Sequence, residues 1–394
     1  MKKFLAGALG AALLLGSAWI AAAAETKLPS SDTFLFWTPA EQAFGYKNIE
    51  KIFPVHVVKR GATVSALPHA SRPFNVSYSF GGKTYDTESF MKDNLSSGLI
   101  VVKDGHVLLE RYGLGRTEND RWTSFSVAKS VTSTLVGAAI KDRYIKSLNS
   151  LVTDTLPELK GTAYDGVTIA DLITMRSGVK WDEDYGNPKS DVAQFGLLPA
   201  RKDGMDPVVA YMARLPRAHK PGTTFHYDTG ETELVGILVA RAVKKPLAEY
   251  LSEKIWSKIG TEQDAVWILD KAGYEHGGCC LSITLRDYAR FGLFFMQGGR
   301  AGGEQVLPKG WVKDASRNHT PVDPRFPDEG YGYFWWIHGH GTYSAEGIFG
   351  QQIFLDPKHD LVIVFNSAWK TADEDKNWEA EAAYAAAVRK AVMK

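Results

Sequence analysis

The sequence predicts an α+β protein: an antiparallel sheet, flanked by terminal helices and assembled from both ends of the chain, with a helical lobe inserted between its two parts. Strand-like runs open the body, helical periodicity dominates a long middle, and strand-like runs return before a last helix. The expected body spans 76–394, with a sheet subdomain at about 76–125 and 275–394 and a helical lobe at about 126–274. With 394 residues, 44% hydrophobic and 12% aromatic, the chain can bury a sizeable core.

The first residues, MKKFLAGALGAALLLGSAWIAAAAETK, place two lysines before an uncharged apolar run and then small residues ending in Ala22-Ala23-Ala24. This is the three-part pattern of a secretory signal, residues 1–24, with cleavage expected between Ala24 and Glu25. The apolar run is short for a membrane span, so the mature protein is expected to be soluble and periplasmic or secreted, with no stable span. Residues 25–75 are rich in Pro, Ser and aromatics and are expected to form an extended arm packed on the body.

Leu99 to Val102 and Val107 to Tyr112 read as strands joined by Lys103-Asp104-Gly105, where Asp-Gly is a hairpin signal. Helical patterns follow in SVAKSVTSTLVGAAIKD, in TIADLITMRSG with Thr168 as cap and Gly178 as stop, and in GETELVGILVARAVKKPLAEYLSEKIW. Strand-like runs return at YGYFWWIH, GIFGQQIFLD and DLVIVFNSA, and NWEAEAAYAAAVRKAVM closes the chain as a helix. No internal repeat is present.

A net charge of +1, with both signs interspersed, offers no electrostatic case for nucleic acid. The only cysteines, Cys279 and Cys280, are adjacent, a spacing at which good disulfide geometry is hard to reach, so they are expected to be unbridged and structural. His338 and His340 lack the partner spacing of a metal site, and no metal or cofactor is expected.

Ser-x-x-Lys occurs at Ser89/Lys92, Ser126/Lys129, Ser177/Lys180 and Ser367/Lys370, so the pattern alone selects nothing. Physical context does. A serine needs a neighbour to take its proton, and residues three apart share a helix face. At the first turn of a helix, unpaired N–H groups and the dipole also favour negative charge on the serine oxygen. Ser126 and Lys129 head an apolar helix and meet both conditions. Ser177 falls at a helix end of the wrong polarity, Ser367 lies past a strand, and Ser89 precedes no apolar helix. Lysine, with a reference pKa of about 10.4, acts as a base only if burial lowers it, and a nearby phenol could share the proton. Tyr227, in KPGTTFHYDTGET, and Tyr185, in GVKWDEDYGNP, are the candidates.

The order SFSVAKS, ITMRSGVKWDEDYGNPKSD, PGTTFHYDTGE, SITLRDYARFG and AEGIFGQQIFLDP resembles the serine β-lactamase and penicillin-binding protein superfamily, and within it the branch of 6-aminohexanoate-dimer hydrolases and related esterases. The likeness runs from about Phe34 to the C-terminus and implies the β-lactamase/DD-peptidase-like fold. It implies that Ser126 is the acylated nucleophile, Lys129 its activator, and Tyr227 the relay to the leaving group. The family's Lys-Thr-Gly strand falls on Ala345-Glu346-Gly347, so Ile348 N–H would join Ser126 N–H in an oxyanion hole. Tyr185, Thr229, Ala345 and Gly347 would line the substrate. Thr229 stands where the family has asparagine, and Ala345 where β-lactamases keep the lysine that holds the substrate carboxylate. Losing that cation costs an anionic β-lactam about 1.5 to 3 kcal/mol unless another charge, such as Arg176 or Lys180, reaches in.

The expected function is therefore a serine hydrolase acting on a small-molecule ester or unstrained amide. The alternatives are a D-Ala-D-Ala peptidase or β-lactamase, and a catalytically silent envelope binding protein. Oligomeric state is not legible in the sequence.

Overall fold

The computed structural model describes residues 27–323 and 325–393; the expected signal segment lies outside them. Seven strands form the main sheet: β1 (Ser96–Lys103), β2 (His106–Tyr112), β3 (Glu329–Tyr331), β4 (Trp336–His338), β5 (Tyr343–Gly347), β6 (Gln351–Asp356) and β7 (Leu361–Ser367). Their spatial order is β3-β4-β5-β6-β7-β1-β2, antiparallel throughout. The two ends of the chain meet where β7 pairs with β1, as the sequence pattern implies.

The β1–β2 turn carries positive φ at both Asp104 (50°) and Gly105 (73°), the conformation a tight hairpin requires and Asp-Gly tolerates. Helices cover both faces of the sheet, which is why β1 and β7 read as unbroken apolar runs rather than alternating ones. Leu99, Val101, Ile363 and Phe365 pack on Tyr384 and Val388 of the C-terminal helix (Asp375–Val392). Ile100, Val102, Val362 and Val364 pack the other way, with Leu285, Ala289 and Phe291 of the helix Leu285–Met296.

Several elements depart from the sequence expectation, each for a local reason. The segment expected as an extended arm folds into a 3-10 turn (Ser31–Phe36), short helices (Pro39–Gly45 and Ile49–Ile52) and a strand (Val55–Val58). Its Thr38-Pro39 is a helix start, with Pro in the first turn and a capping box between Thr38 and Glu41. The strand pairs with Ala265–Ile268, which lies in the range expected for the helical lobe. The helical run after Gly230 breaks at Lys244, which is left-handed (φ 57°), before Pro246. The helix capped by Thr168 ends at Ile173, short of Gly178, because Met175 is already left-handed (φ 55°). The expected strand YGYFWWIH splits into β3 and β4 around Phe334 (φ 58°).

Candidate active site

Ser126 caps the N-terminus of the helix Val127–Lys141, and it is positioned by what precedes it. The short strand Trp122–Thr123 pairs with Leu281–Ile283, and Ser124 continues that pairing through its N–H to Leu281 O (2.9 Å). Phe125 then turns with φ 42°, an uncommon conformation for a bulky side chain and a common one beside functional groups. Ser126 is 9% exposed, so the nucleophile candidate is recessed yet reachable.

One turn on, Lys129 is 1% exposed. Its Nζ donates to Ser126 Oγ (3.0 Å), Thr229 Oγ1 (2.9 Å) and Gly278 O (3.0 Å), so all three ammonium donors have acceptors. Burial pulls its pKa down to about 8, and the carboxylates of Glu183, Glu233 and Asp228 oppose the fall. A lysine in this state loses its proton within a unit or so of neutrality.

Tyr227 and Thr229 sit at the start of the helix Thr229–Val243. The Tyr227 ring faces Lys129 Nζ at 5.1 Å and stacks on Trp336 at 5.7 Å. Burial raises its phenol well above the ordinary value, Glu183 adds to the rise, and the Ser126 hydroxyl opposes it. The structure therefore brings Ser126, Lys129 and Tyr227 together. Thr229 accepts a hydrogen bond from Lys129 and donates one from its hydroxyl to Glu183 Oε1.

Glu183 is the residue that sequence reasoning missed. Its carboxylate receives the Thr229 N–H (3.0 Å), the Thr229 hydroxyl, the Tyr185 phenol and the Trp181 indole N–H. Tyr185 therefore joins the site through Glu183. The signal was the run Asp182-Glu183-Asp184 beside Tyr185, but nothing in three adjacent carboxylates says which one turns inward.

On the sheet side, β5 ends against the nucleophile. A Cβ on Gly347 would lie 2.5 Å from Ser124 O and 2.9 Å from Ser126 N, so only glycine lets the strand approach this closely. Ile348 follows and lines one cavity with Ser126, Tyr185 and Thr229. Ala345 is fully buried in the core and contributes no polar group. Neither cation considered as its replacement lines that cavity: Arg176 donates to Thr174 Oγ1, Gly222 O and His319 O, and Lys180 is exposed.

Cys279 and Cys280 lie with their side chains in contact at a turn where Cys280 is left-handed (φ 76°), and both line the cavity beside Ser126. His338 contacts Ser344 Oγ (2.6 Å) and Glu346 Oε1 (3.2 Å), and among the described residues no three His, Cys, Asp or Glu side chains are grouped to hold a metal.

The beta-lactamase family model matches residues 87–386. The chain belongs to the beta-lactamase family. It is 31% identical over 306 residues to the 6-aminohexanoate-dimer hydrolase of Paenarthrobacter ureafaciens, covering 74% of this chain and 77% of the relative. A Bacillus anthracis structure provisionally named a 6-aminohexanoate-dimer hydrolase superposes with a TM-score of 0.78 at 26% identity, covering 89% of this chain and 94% of that one. A family VIII carboxylesterase shares the fold, with a TM-score of 0.58 at 16% identity over 76% of this chain and 95% of that one. The protein is thus a beta-lactamase-family serine hydrolase by kinship, related to 6-aminohexanoate-dimer hydrolases.

Proposed function

We propose that the protein is an exported serine hydrolase that cleaves an ester or unstrained amide through an acyl-Ser126 intermediate. The observation that carries this reading is the buried Lys129 amine, 3.0 Å from Ser126 Oγ, with a pKa lowered to about 8. At pH 7 roughly a tenth of such lysines are neutral, enough to act as base. In the proposed sequence, neutral Lys129 takes the Ser126 proton while Oγ bonds to the substrate carbonyl carbon. The resulting oxyanion is held by the N–H groups of Ser126 and Ile348. Tyr227 protonates the leaving oxygen or nitrogen as its bond to carbon breaks, and recovers a proton from Lys129. Water then adds to the acyl carbon, the bond from that carbon to Ser126 Oγ breaks to release the carboxylic acid, and the proton lost by the water returns by the same groups to Oγ.

The apolar Ala345 and a cavity lining without lysine or arginine argue against an anionic β-lactam or a peptide carboxylate. Export rests on the N-terminal pattern ending at Ala24, and among the described residues no helix is long and apolar enough to cross a membrane. A mature chain starting at Glu25 is expected in the periplasm or medium.

The test is intact-protein mass spectrometry after exposure to a fluorophosphonate and to p-nitrophenyl esters. A single adduct that disappears in Ser126→Ala, with turnover lost and the fold kept, is the expected result. Full turnover in that variant sinks the reading. Stoichiometric labelling by a fluorescent penicillin would instead favour the peptidase or β-lactamase alternative, and no adduct with any reagent the silent binding protein.

A further inference from the structure

Beside Ser126 lies a cavity of about 340 Å³, within the range of small-molecule sites. Its walls come from distant parts of the chain: Phe34 from the N-terminal segment, Phe125 before the nucleophile, Val192 and Phe195 from the helix Asp191–Phe195, Ile268 from the strand Ala265–Ile268, and Ile348 from the turn after β5. Phe34 is held in place by stacking on Phe125 (5.1 Å) and by edge contacts to Trp37 and Phe53 (4.9 and 5.1 Å).

The ionisable side chains of the lining leave its interior without a free charge. Asp32 is exposed at the mouth, Tyr185 is tied to Glu183, and His276 has Nδ1 3.6 Å from Glu233. Tyr227 is not in this lining; it packs against Trp336 and Tyr331, which do not line the cavity either. If Tyr227 delivers the proton to the leaving group, the leaving group departs on the Tyr227 side. The cavity is then left for the acyl group.

We propose that this cavity is an acyl-chain site that takes an uncharged, apolar acyl group, and that the N-terminal segment through Phe34 sets its specificity. The proposal rests on the acyl-Ser126 reading and deepens it. It also separates this chain from its 6-aminohexanoate-cleaving relative, because the carboxylate of the lining, Asp32, is solvent-exposed, and an ammonium inside the cavity would be held among aromatic and aliphatic walls with no buried partner.

The experiment compares kcat/KM for p-nitrophenyl acetate, butyrate, hexanoate and 6-aminohexanoate on the mature protein, with fluorophosphonate labelling in parallel. From acetate to hexanoate kcat/KM is expected to rise by roughly fourfold per buried methylene. The 6-aminohexanoate ester should fall at least about a hundredfold below hexanoate. Gly196 lines the cavity with open space at its Cβ position. Gly196→Trp should therefore lower the hexanoate-to-acetate ratio about tenfold or more. Phe34→Ala should change the same ratio and relax the limit on acyl bulk.

A flat or falling series with acetate turnover and labelling intact overturns the acyl site and leaves the hydrolase reading standing. So does a preference for the 6-amino ester, or a ratio unmoved in both folded variants. No labelling and no turnover on any ester overturns the hydrolase reading and the acyl site with it.

Discussion

Lys129 concentrates the proposed chemistry at the residue scale, because its amine is dry, close to Ser126, and balanced between burial and three carboxylates. Its pKa near 8 means that the base form is gained as pH rises through that value. The kcat/KM profile of the wild type should therefore climb with unit slope on the acid side and level off above about pH 8. Glu183 is the first of the carboxylates that hold this pKa up, ahead of Glu233 and Asp228. Removing its charge leaves the ammonium less favoured, so Glu183→Gln should move the acid limb to lower pH. In the same variant kcat should drop by about tenfold as Thr229 and Tyr185 lose their anchor, and a limb that stays in place would exclude Glu183 from the electrostatics of the base. The proximity of Ser126 and Lys129 was legible because helix spacing and an apolar run are local. Glu183 was not, because Asp182 and Asp184 offer the same chemistry and only the loop's path turns one inward.

At the scale of elements, two backbone approaches build the site: the turn at Phe125 that presents Ser126, and the end of β5 laid against it. The second depends on Gly347. In Gly347→Ala the new methyl would meet Ser124 O at 2.5 Å and Ser126 N at 2.9 Å, backbone atoms that cannot move aside without shifting the nucleophile. We expect a stability loss of about 1 to 3 kcal/mol in denaturant melts and at least a tenfold loss of kcat, with binding of substrate less affected. An active, undisturbed variant would show that strand and turn are less tightly joined than their spacing implies. The hairpin at Asp104-Gly105 and the cap at Thr168 were legible, since turn and capping chemistry is short-range. The N-terminal segment was misread because Pro and aromatics suggest extended chain until one sees that Pro39 opens a capped helix turn.

Over the whole molecule, the sheet joins residues 96–112 to 329–367, and the helical lobe crosses between them, so the candidate site lies on a seam fed by both. Ile363, central in β7 and fully buried against the C-terminal helix, tests that architecture. Ile363→Ala should cost about 2 to 5 kcal/mol in equilibrium unfolding while leaving the pH profile in place, because the cavity it opens is remote from Lys129. A shifted profile would mean that the sheet face and the site are mechanically coupled. The sequence by itself determined the α+β class and the meeting of the two chain ends in one sheet, and it singled out Ser126 among four serines as the nucleophile candidate. Each depends on periodicity, spacing or helix polarity, which act over a few residues. Only the tertiary structure decided that Glu183 gathers Thr229 and Tyr185, how closely Gly347 lies against the backbone at Ser124 and Ser126, and that Phe34 walls the cavity. Apart from Glu183 with Tyr185, those contacts join residues tens to hundreds of positions apart, and the direction in which each side chain points is set by packing against partners that no local pattern names.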